Sequence, residues 1–285
     1  MTNKPTLIIP THNRQHAFKD LFVFYQKTEF NICLVDSSEK IYLEKIPDNI
    51  EYYHFPNYSF CNKILKISQI IGTTYVGLVA DDDFFIGNFN KCVSHLKETG
   101  CCVYTGTVSW FDDDSKFKNV RYSTLNKQNI YAPGDKRRFL SNYVMILWAV
   151  FRREELISIF QHIYDLDIKN DNFIELIIGY LGQEFGGIYV DSDFAIYRHI
   201  DLTESSWGAR HVPLTEYVDF DSEIDRLSTA VYINKTYSFK NDARSYISKN
   251  INKHVFIKKI IKRVAKSFNY KKLMFRLRFR FVRPW

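Results

Sequence analysis

Glycine is scarce in this chain, 11 in 285 residues, and no G-x-G-x-x-G or P-loop pattern can be found. Dinucleotide enzymes, kinases and P-loop ATPases cradle phosphates on such loops, so those classes are disfavoured. The five cysteines (Cys33, Cys61, Cys92, Cys101, Cys102) are odd in number and lack metal-ligand spacing. That usage fits reduced, mostly buried thiols of a cytoplasmic protein. Long apolar runs are missing too: the best stretch, residues 143–151, falls far short of the roughly 20 residues a spanning helix needs. Residues 1–5 lead straight into a short apolar strand, so no secretory leader is expected. Acids are absent from residues 249–285, where thirteen Lys and Arg stand, so a net charge of +7 leaves −6 on the preceding 248 residues. An acidic body carries a strongly basic tail.

What is present begins with composition. At 46% hydrophobic and 25% charged the chain is globular rather than disordered, and core packing accounts for most of its 19 Tyr and 24 Phe. Apolar runs at 5–9, 30–35, 51–55 and 75–80 read as buried strands, and the stretches 18–25, 60–71 and 87–98 show helical spacing. This alternation predicts βαβ units and a parallel sheet. Further along, strands are expected at 101–110, 144–151, and as a pair at 188–190 and 194–197. Helices are expected at 134–141, 152–164 and from Asp171 onward.

Three predicted strands finish in polar residues at one rim: Thr11 to Arg14, Asp36, and Asp81-Asp82-Asp83. Ligands of open α/β sheets gather beyond the carboxyl ends of the strands. Three adjacent carboxylates repel one another and require a positive partner, for which a divalent metal holding phosphates is the simplest choice. A solvated acidic turn or a helix cap is the plain alternative. A second acidic cluster, Asp112-Asp113-Asp114, is flanked by Lys116, Lys118 and Arg121 between two extended runs and reads as a hairpin turn.

The opening Leu7-Ile8-Ile9-Pro10-Thr11-His12-Asn13-Arg14 resembles the first strand of the GT-A nucleotide-sugar glycosyltransferases, glycosyltransferase family 2 in particular. Asp36 is similar in position to the acid that reads the nucleobase there, and Asn62 to the Asn ahead of the family's Asp-x-Asp motif. Ala80 stands where the family often has an acid. The resemblance covers roughly residues 5–210. It implies nucleotide-sugar contacts from Pro10, Thr11, Asn13, Arg14, Asp36, Asn62, Asp81 and Asp82, and a Mn²⁺ or Mg²⁺ held by Asp81 and Asp83.

Asp171 opens an amphipathic helical pattern, an arrangement the helix dipole alone would favour. Family 2 enzymes carry an acid pair opening such a helix, with a glycine eleven residues after the second acid, and Asp171 to Gly182 matches that spacing. The resemblance makes Asp171 the general base on the acceptor hydroxyl, with Asn170 in place of the first acid. Tyr197-Arg198-His199 followed by Ser205-Ser206-Trp207 is similar to the family's closing segment. It implies His199 as a third metal ligand or diphosphate contact, a surface histidine beside Asp201 being the plain alternative. Trp207 and Arg210 lie in a stretch with the composition of a lid: an aromatic, a Gly hinge and cations.

The expected architecture is therefore α/β: a GT-A domain over residues 1–212, a helical extension over 213–248 and a basic amphipathic tail over 249–285. The expected function is metal-dependent, inverting transfer of a sugar, UDP-linked by default, to a glycan or lipid-linked acceptor in bacterial surface polysaccharide synthesis. The tail has the composition of a segment that lies on an anionic membrane, which would place the protein at the inner face of the cell membrane. Folding back on the acidic body, or a partner protein, are the other readings of the tail. The rival functions are a sugar nucleotidylyltransferase, which would need a Gly-rich, Arg-containing phosphate loop near the first strand, and a nucleic-acid-binding protein. The latter would explain the tail but not the rim acids.

Overall fold

The computed structural model describes residues 4–111, 122–124, 128–136, 139–142, 144–167 and 171–199. The chain divides into two compact units, one of residues 1–169 and 177–204, the other of 170–176 and 205–285. The described strands and helices belong to the first unit, apart from the first turns of the helix that Asp171 opens. The expected extension (213–248) and tail (249–285) lie outside the described residues.

The first strand, β1 (Thr6–Thr11), is buried at every position, as its unbroken apolar run requires for a strand covered on both faces. Helix α1 (Phe18–Tyr25) buries Phe18, Leu21 and Tyr25 and leads to β2 (Asn31–Asp36). After β3 (Ile50–His54), helix α2 (Phe60–Ile70) starts at Ser59, whose hydroxyl accepts from the Asn62 N–H. β4 (Tyr75–Leu78) ends two residues earlier than its apolar run suggests, and the chain turns through 79–82 into β5 (Asp83–Phe85). Helix α3 (Phe89–Thr99) is capped by Asn88 and stops at Gly100, whose φ of 70° a side chain would disfavour. There follow β6 (Val103–Phe111), β7 (Tyr122–Thr124), β8 (Asn129–Tyr131), β9 (Val150–Arg152), α4 (Arg153–Asp165), α5 (Asp171–Phe185) and β10 (Ile188–His199).

One sheet runs in the order β3-β2-β1-β4-β9-β6-β10-β5, with β7 on β6 and β8 on β10. The expected parallel pairing holds across β3-β2-β1-β4 and again between β6 and β10. The short β9 separates these blocks and runs antiparallel to both neighbours. Aromatic rings fill much of the core: Tyr25 and Phe84, then Phe30 with Phe85 and Phe89, lie 5.4–6.4 Å apart. Gly182 lets α5 approach β6, since a Cβ there would sit 3.0 Å from Val103 Cγ2.

Three local expectations are corrected. The apolar run 144–151 is a strand only from Val150; residues 144–149 are irregular, and all but the half-buried Met145 are buried. Two of their carbonyls are satisfied from outside the run, Met145 by the Thr105 hydroxyl (2.6 Å) and Ala149 by the Leu78 N–H (2.9 Å). The expected helix over 134–141 shrinks to a 3₁₀ turn at Phe139–Asn142, because Pro133-Gly134 takes a turn with Gly134 at φ 71°. The strand pair at 188–197 is a single strand, β10, that stays parallel to β6 on both sides of a bulge between Asp191 and Ala195. Thr107 fastens the bulge by donating to the Ser192 carbonyl (2.6 Å), and Tyr104 by donating to Asp191.

Candidate active site

Parallel pairing puts the carboxyl ends of β1 and β2 side by side, with Thr11 opposite Asp36 and Asp36 opposite His54. The loop after β1 then crosses over the end of β2. Asn13, held at φ 56°, donates its N–H to Ser38 Oγ (2.7 Å), and His12 Nδ1 lies 3.1 Å from both the carbonyl and the hydroxyl oxygen of Ser37. Asn is among the few side chains that tolerate this left-handed backbone. His54 Nε2 closes the far side, 2.8 Å from the Ser38 carbonyl.

Asp36 is fully buried and every donor around it is neutral. Ser38 gives its N–H (2.8 Å) and hydroxyl (2.5 Å) to Oδ1; Gln15 Nε2 and the Tyr52 hydroxyl each reach Oδ2 at 2.8 Å. Burial alone would raise its pKa, but these four bonds outweigh it and hold the carboxyl below its ordinary value. The same arrangement pushes the Tyr52 phenol up to about 12, by burial first and then by the bond to Asp36.

The three rim acids are not equivalent. Asp81 is 6% exposed, and both its oxygens are engaged: Oδ2 by the Thr11 hydroxyl at 2.6 Å, Oδ1 by Arg14 Nη1 at 2.9 Å. Asp82 keeps a quarter of its side chain exposed and meets the same Arg14 nitrogen at 2.9 Å. Asp83 belongs to β5, is buried, and donates its N–H to the Ala80 carbonyl to close the turn. The positive partner that the sequence demanded is therefore present in the chain itself: Arg14 bridges Asp81 and Asp82. Burial drives the Asp81 pKa up to about 6 despite Arg14, with Asp82 adding repulsion.

Sequence reasoning singled out Asn62, which is part-exposed and gives its backbone N–H to Ser59. It missed the next residue. Lys63 is buried, and its ammonium donates to the Thr11 carbonyl (2.5 Å) and Ser37 Oγ (3.1 Å), tying β1 to β2 and lowering the Asp81 pKa through its charge. The signal was available: Lys63 falls on the apolar face of α2 that Ile64 and Ile67 define, where an unpaired lysine would be costly. Gln15, Ser38 and Tyr52 had no comparable signal, since the pairing of β1, β2 and β3 brings them together.

No family model matches the chain, and no curated protein matches it. Solved structures do. A fragment of S. aureus TarS (residues 1–349) superposes with a TM-score of 0.52 at 13% identity, over 87% of this chain and 72% of that one. The same fragment in complex with UDP-GlcNAc gives 0.50 at 16% identity, over 80% and 66%. A longer TarS structure gives 0.51 at 14% identity, and there the chain spans 43% of its length. This chain has a GT-A-like glycosyltransferase fold. Within it, strand pairing and the contacts of Thr11 and Arg14 bring Thr11, Arg14, Asp36, Asp81 and Asp82 to one rim, with Pro10 inside β1 paired to Val35.

A divalent cation would find hard oxygen ligands here. Asp81 and Asp82 already share one positive charge through Arg14, so the pair fits a cation once Arg14 moves aside. Asp83 lies deeper, on β5. The backbone of His199 stands one residue beyond Arg198, the partner of Asp83 in the β10–β5 ladder. Among the described residues no group of three His, Cys, Asp or Glu side chains is preassembled for a metal. Asp171 is the first residue of α5, as its dipole argument requires. Trp207 and Arg210 lie outside the described residues, as does the Asp112–Asp114 stretch.

Proposed function

We propose that this chain is an inverting nucleotide-sugar glycosyltransferase, with a UDP-linked sugar as donor and a glycan or lipid-linked hydroxyl as acceptor in bacterial surface polysaccharide synthesis. One observation carries the reading: a buried base-type acceptor, Asp36, and a cation-bridged acid pair, Asp81 and Asp82, share one rim of a GT-A-like sheet. Asp36 takes the nucleobase, and the loop Thr11 to Arg14 lies along the nucleotide. Asp81 and Asp82 would hold Mn²⁺ or Mg²⁺, with Asp83 and His199 as the further candidates. Arg14, which bridges the two acids, would be available to contact the phosphates once a cation took its place. A bound divalent ion would supply Lewis-acid stabilisation of the departing nucleoside diphosphate. Asp171 draws the proton from the acceptor hydroxyl as that oxygen attacks the anomeric carbon, and Trp207 and Arg210 are the further candidate donor contacts.

The test is a transfer assay with UDP-sugars. Wild type is expected to consume donor with Mn²⁺ or Mg²⁺ and to stop in EDTA. Asp171→Asn should keep donor affinity and lose roughly 10²–10⁴-fold in rate. Full transfer in EDTA removes the cation from the mechanism, and full transfer by Asp171→Asn moves the base elsewhere.

We also propose that residues 249–285 hold the protein on an anionic membrane surface. No helix among the described residues is long and apolar enough to cross a membrane. Thirteen basic residues without an acid, at about 1 kcal/mol each near an anionic leaflet, suffice for peripheral attachment. The 285-residue chain should float with anionic vesicles in low salt, and a chain ending at Lys249 should not; equal behaviour of the two would refute the anchor.

A further inference from the structure

The acid stations of this rim are already filled by two consecutive residues of the loop after β1. Arg14 places its guanidinium on Asp81 and Asp82; Gln15 places its amide on Asp36. Gln15 Nε2 spends its two hydrogens on Asp36 Oδ2 (2.8 Å) and the Lys40 carbonyl (2.7 Å), bridging β2 and the loop that follows it. With Ser38 supplying two donors and Tyr52 one, Asp36 accepts four hydrogen bonds, about as many as a carboxylate has lone-pair positions for. A nucleobase cannot add a fifth. One donor must leave before a base can bind, and the surroundings identify which. Ser38 is fixed by its own backbone and by Asn13, and Tyr52 is held on β3 with its ring against Phe18. Gln15 is part-exposed and is attached to the site by its amide alone.

We propose that Gln15 is a specificity-determining residue. Its amide N–H occupies the place on Asp36 of a nucleobase ring N–H, and it is exchanged for that group when the nucleotide binds. The inference rests on the reading of the site as a nucleoside diphosphate site. It names the class of base: one offering a ring imide or lactam N–H, as uracil, thymine and guanine do and adenine and cytosine do not. Because the exchange trades one N–H···carboxylate bond for another, affinity depends on what Gln15 gives up as well as on what the base gains. Selectivity follows from the same balance, since a base without the ring N–H would leave Asp36 one donor short.

Calorimetry on the full chain with UDP, N3-methyl-UDP and inorganic pyrophosphate tests this. Gln15→Ala leaves nothing to displace, so UDP should bind about 3–10-fold tighter than to wild type, the worth of roughly one hydrogen bond. Pyrophosphate, which has no base, should bind both proteins equally, and N3-methyl-UDP should bind wild type much more weakly than UDP does. Weaker or unchanged UDP binding by Gln15→Ala, beside measurable binding by wild type, overturns the exchange and makes Gln15 an ordinary contact. A gain of the same size for pyrophosphate overturns it as well, since the effect would not be at the base. Absence of UDP binding by wild type is a different failure, that of the nucleotide reading itself.

Discussion

Asp36 and Asp81 stand on the same rim, both buried, and their protonation is displaced in opposite directions. Asp36 is ringed by four neutral donors that together overcome the cost of burial, and its pKa falls. Asp81 has one hydroxyl and a shared guanidinium, with Asp82 pressing from beside it, and its pKa climbs to about 6. Burial is the largest influence on both, so the contrast comes from the partners. Hydrogen bonds from fixed neutral groups complete a carboxylate locally, whereas one cation divided between two acids leaves the buried Asp81 under-compensated. The first station is structurally finished. The second is held at a cost that further positive charge beside it would relieve.

The largest test of that contrast is Asp36→Ala. Removing the carboxylate leaves the Tyr52 hydroxyl, the Gln15 amide and both Ser38 donors without their acceptor in a buried place. A loss of about 2–4 kcal/mol in unfolding free energy is expected in urea titrations. A loss under about 1 kcal/mol would mean that water replaces the carboxylate and that the station is not completed by Asp36 at all.

Asp81 should behave in the reverse sense. A folded-state pKa near 6, above the unfolded value of about 3.9, means that the native state holds the proton more tightly. That stability is present in full below the unfolded pKa and is lost as pH rises through 6, so at pH 8 the ionised Asp81 costs the fold up to about 3 kcal/mol. Asp81→Asn should therefore be more stable than wild type by about 1–3 kcal/mol at pH 8, and equal to it near pH 3. A thermal melt series over pH 3–8 reads this directly. Greater stability of wild type at pH 8 would show that Arg14 and Thr11 over-compensate the charge, and the contrast with Asp36 would disappear.

How much of this was legible in the sequence depended on whether a residue's role is local. The strand ends at Thr11, Asp36 and Asp81 could be read because an apolar run that stops at a polar residue marks a sheet rim whatever lies beside it. Asp83 could not be separated from its neighbours, because only the early end of β4 shows that the third acid has entered β5. Residues 144–149 misled because burial and strand share one apolar signature, and only the partners of their carbonyls distinguish the two. The bulge in β10 hid for a related reason: polar residues at 191–193 look like a turn, and pairing with β6 on both sides is what keeps the strand whole. Gln15, Ser38 and Tyr52 meet through parallel register across three strands, which no spacing in the chain encodes. Lys63 was within reach of pattern alone, as a charge on an apolar helix face.

The smallest expected effects concern which charges set the Asp81 midpoint. Arg14 touches the carboxylate and is the strongest of the groups lowering its pKa; Lys63 acts through its charge, without a direct bond to Asp81, and is the weakest of those named. Carboxyl NMR titration should therefore find the Asp81 midpoint raised in both Arg14→Gln and Lys63→Met, and raised further in Arg14→Gln. Asp36 should stay below its ordinary value in Arg14→Gln, because its shift comes from hydrogen bonds donated by neutral groups. Lys63→Met tests this more sharply, since Lys63 binds Ser37, the neighbour of both Asp36 and Ser38. If the Asp36 midpoint holds there too, the two stations are electrostatically separate although one loop spans them. An Asp36 midpoint that follows Asp81 in either variant would join them into a single titrating unit, and the opposite shifts would then be two faces of one charge distribution rather than two local environments.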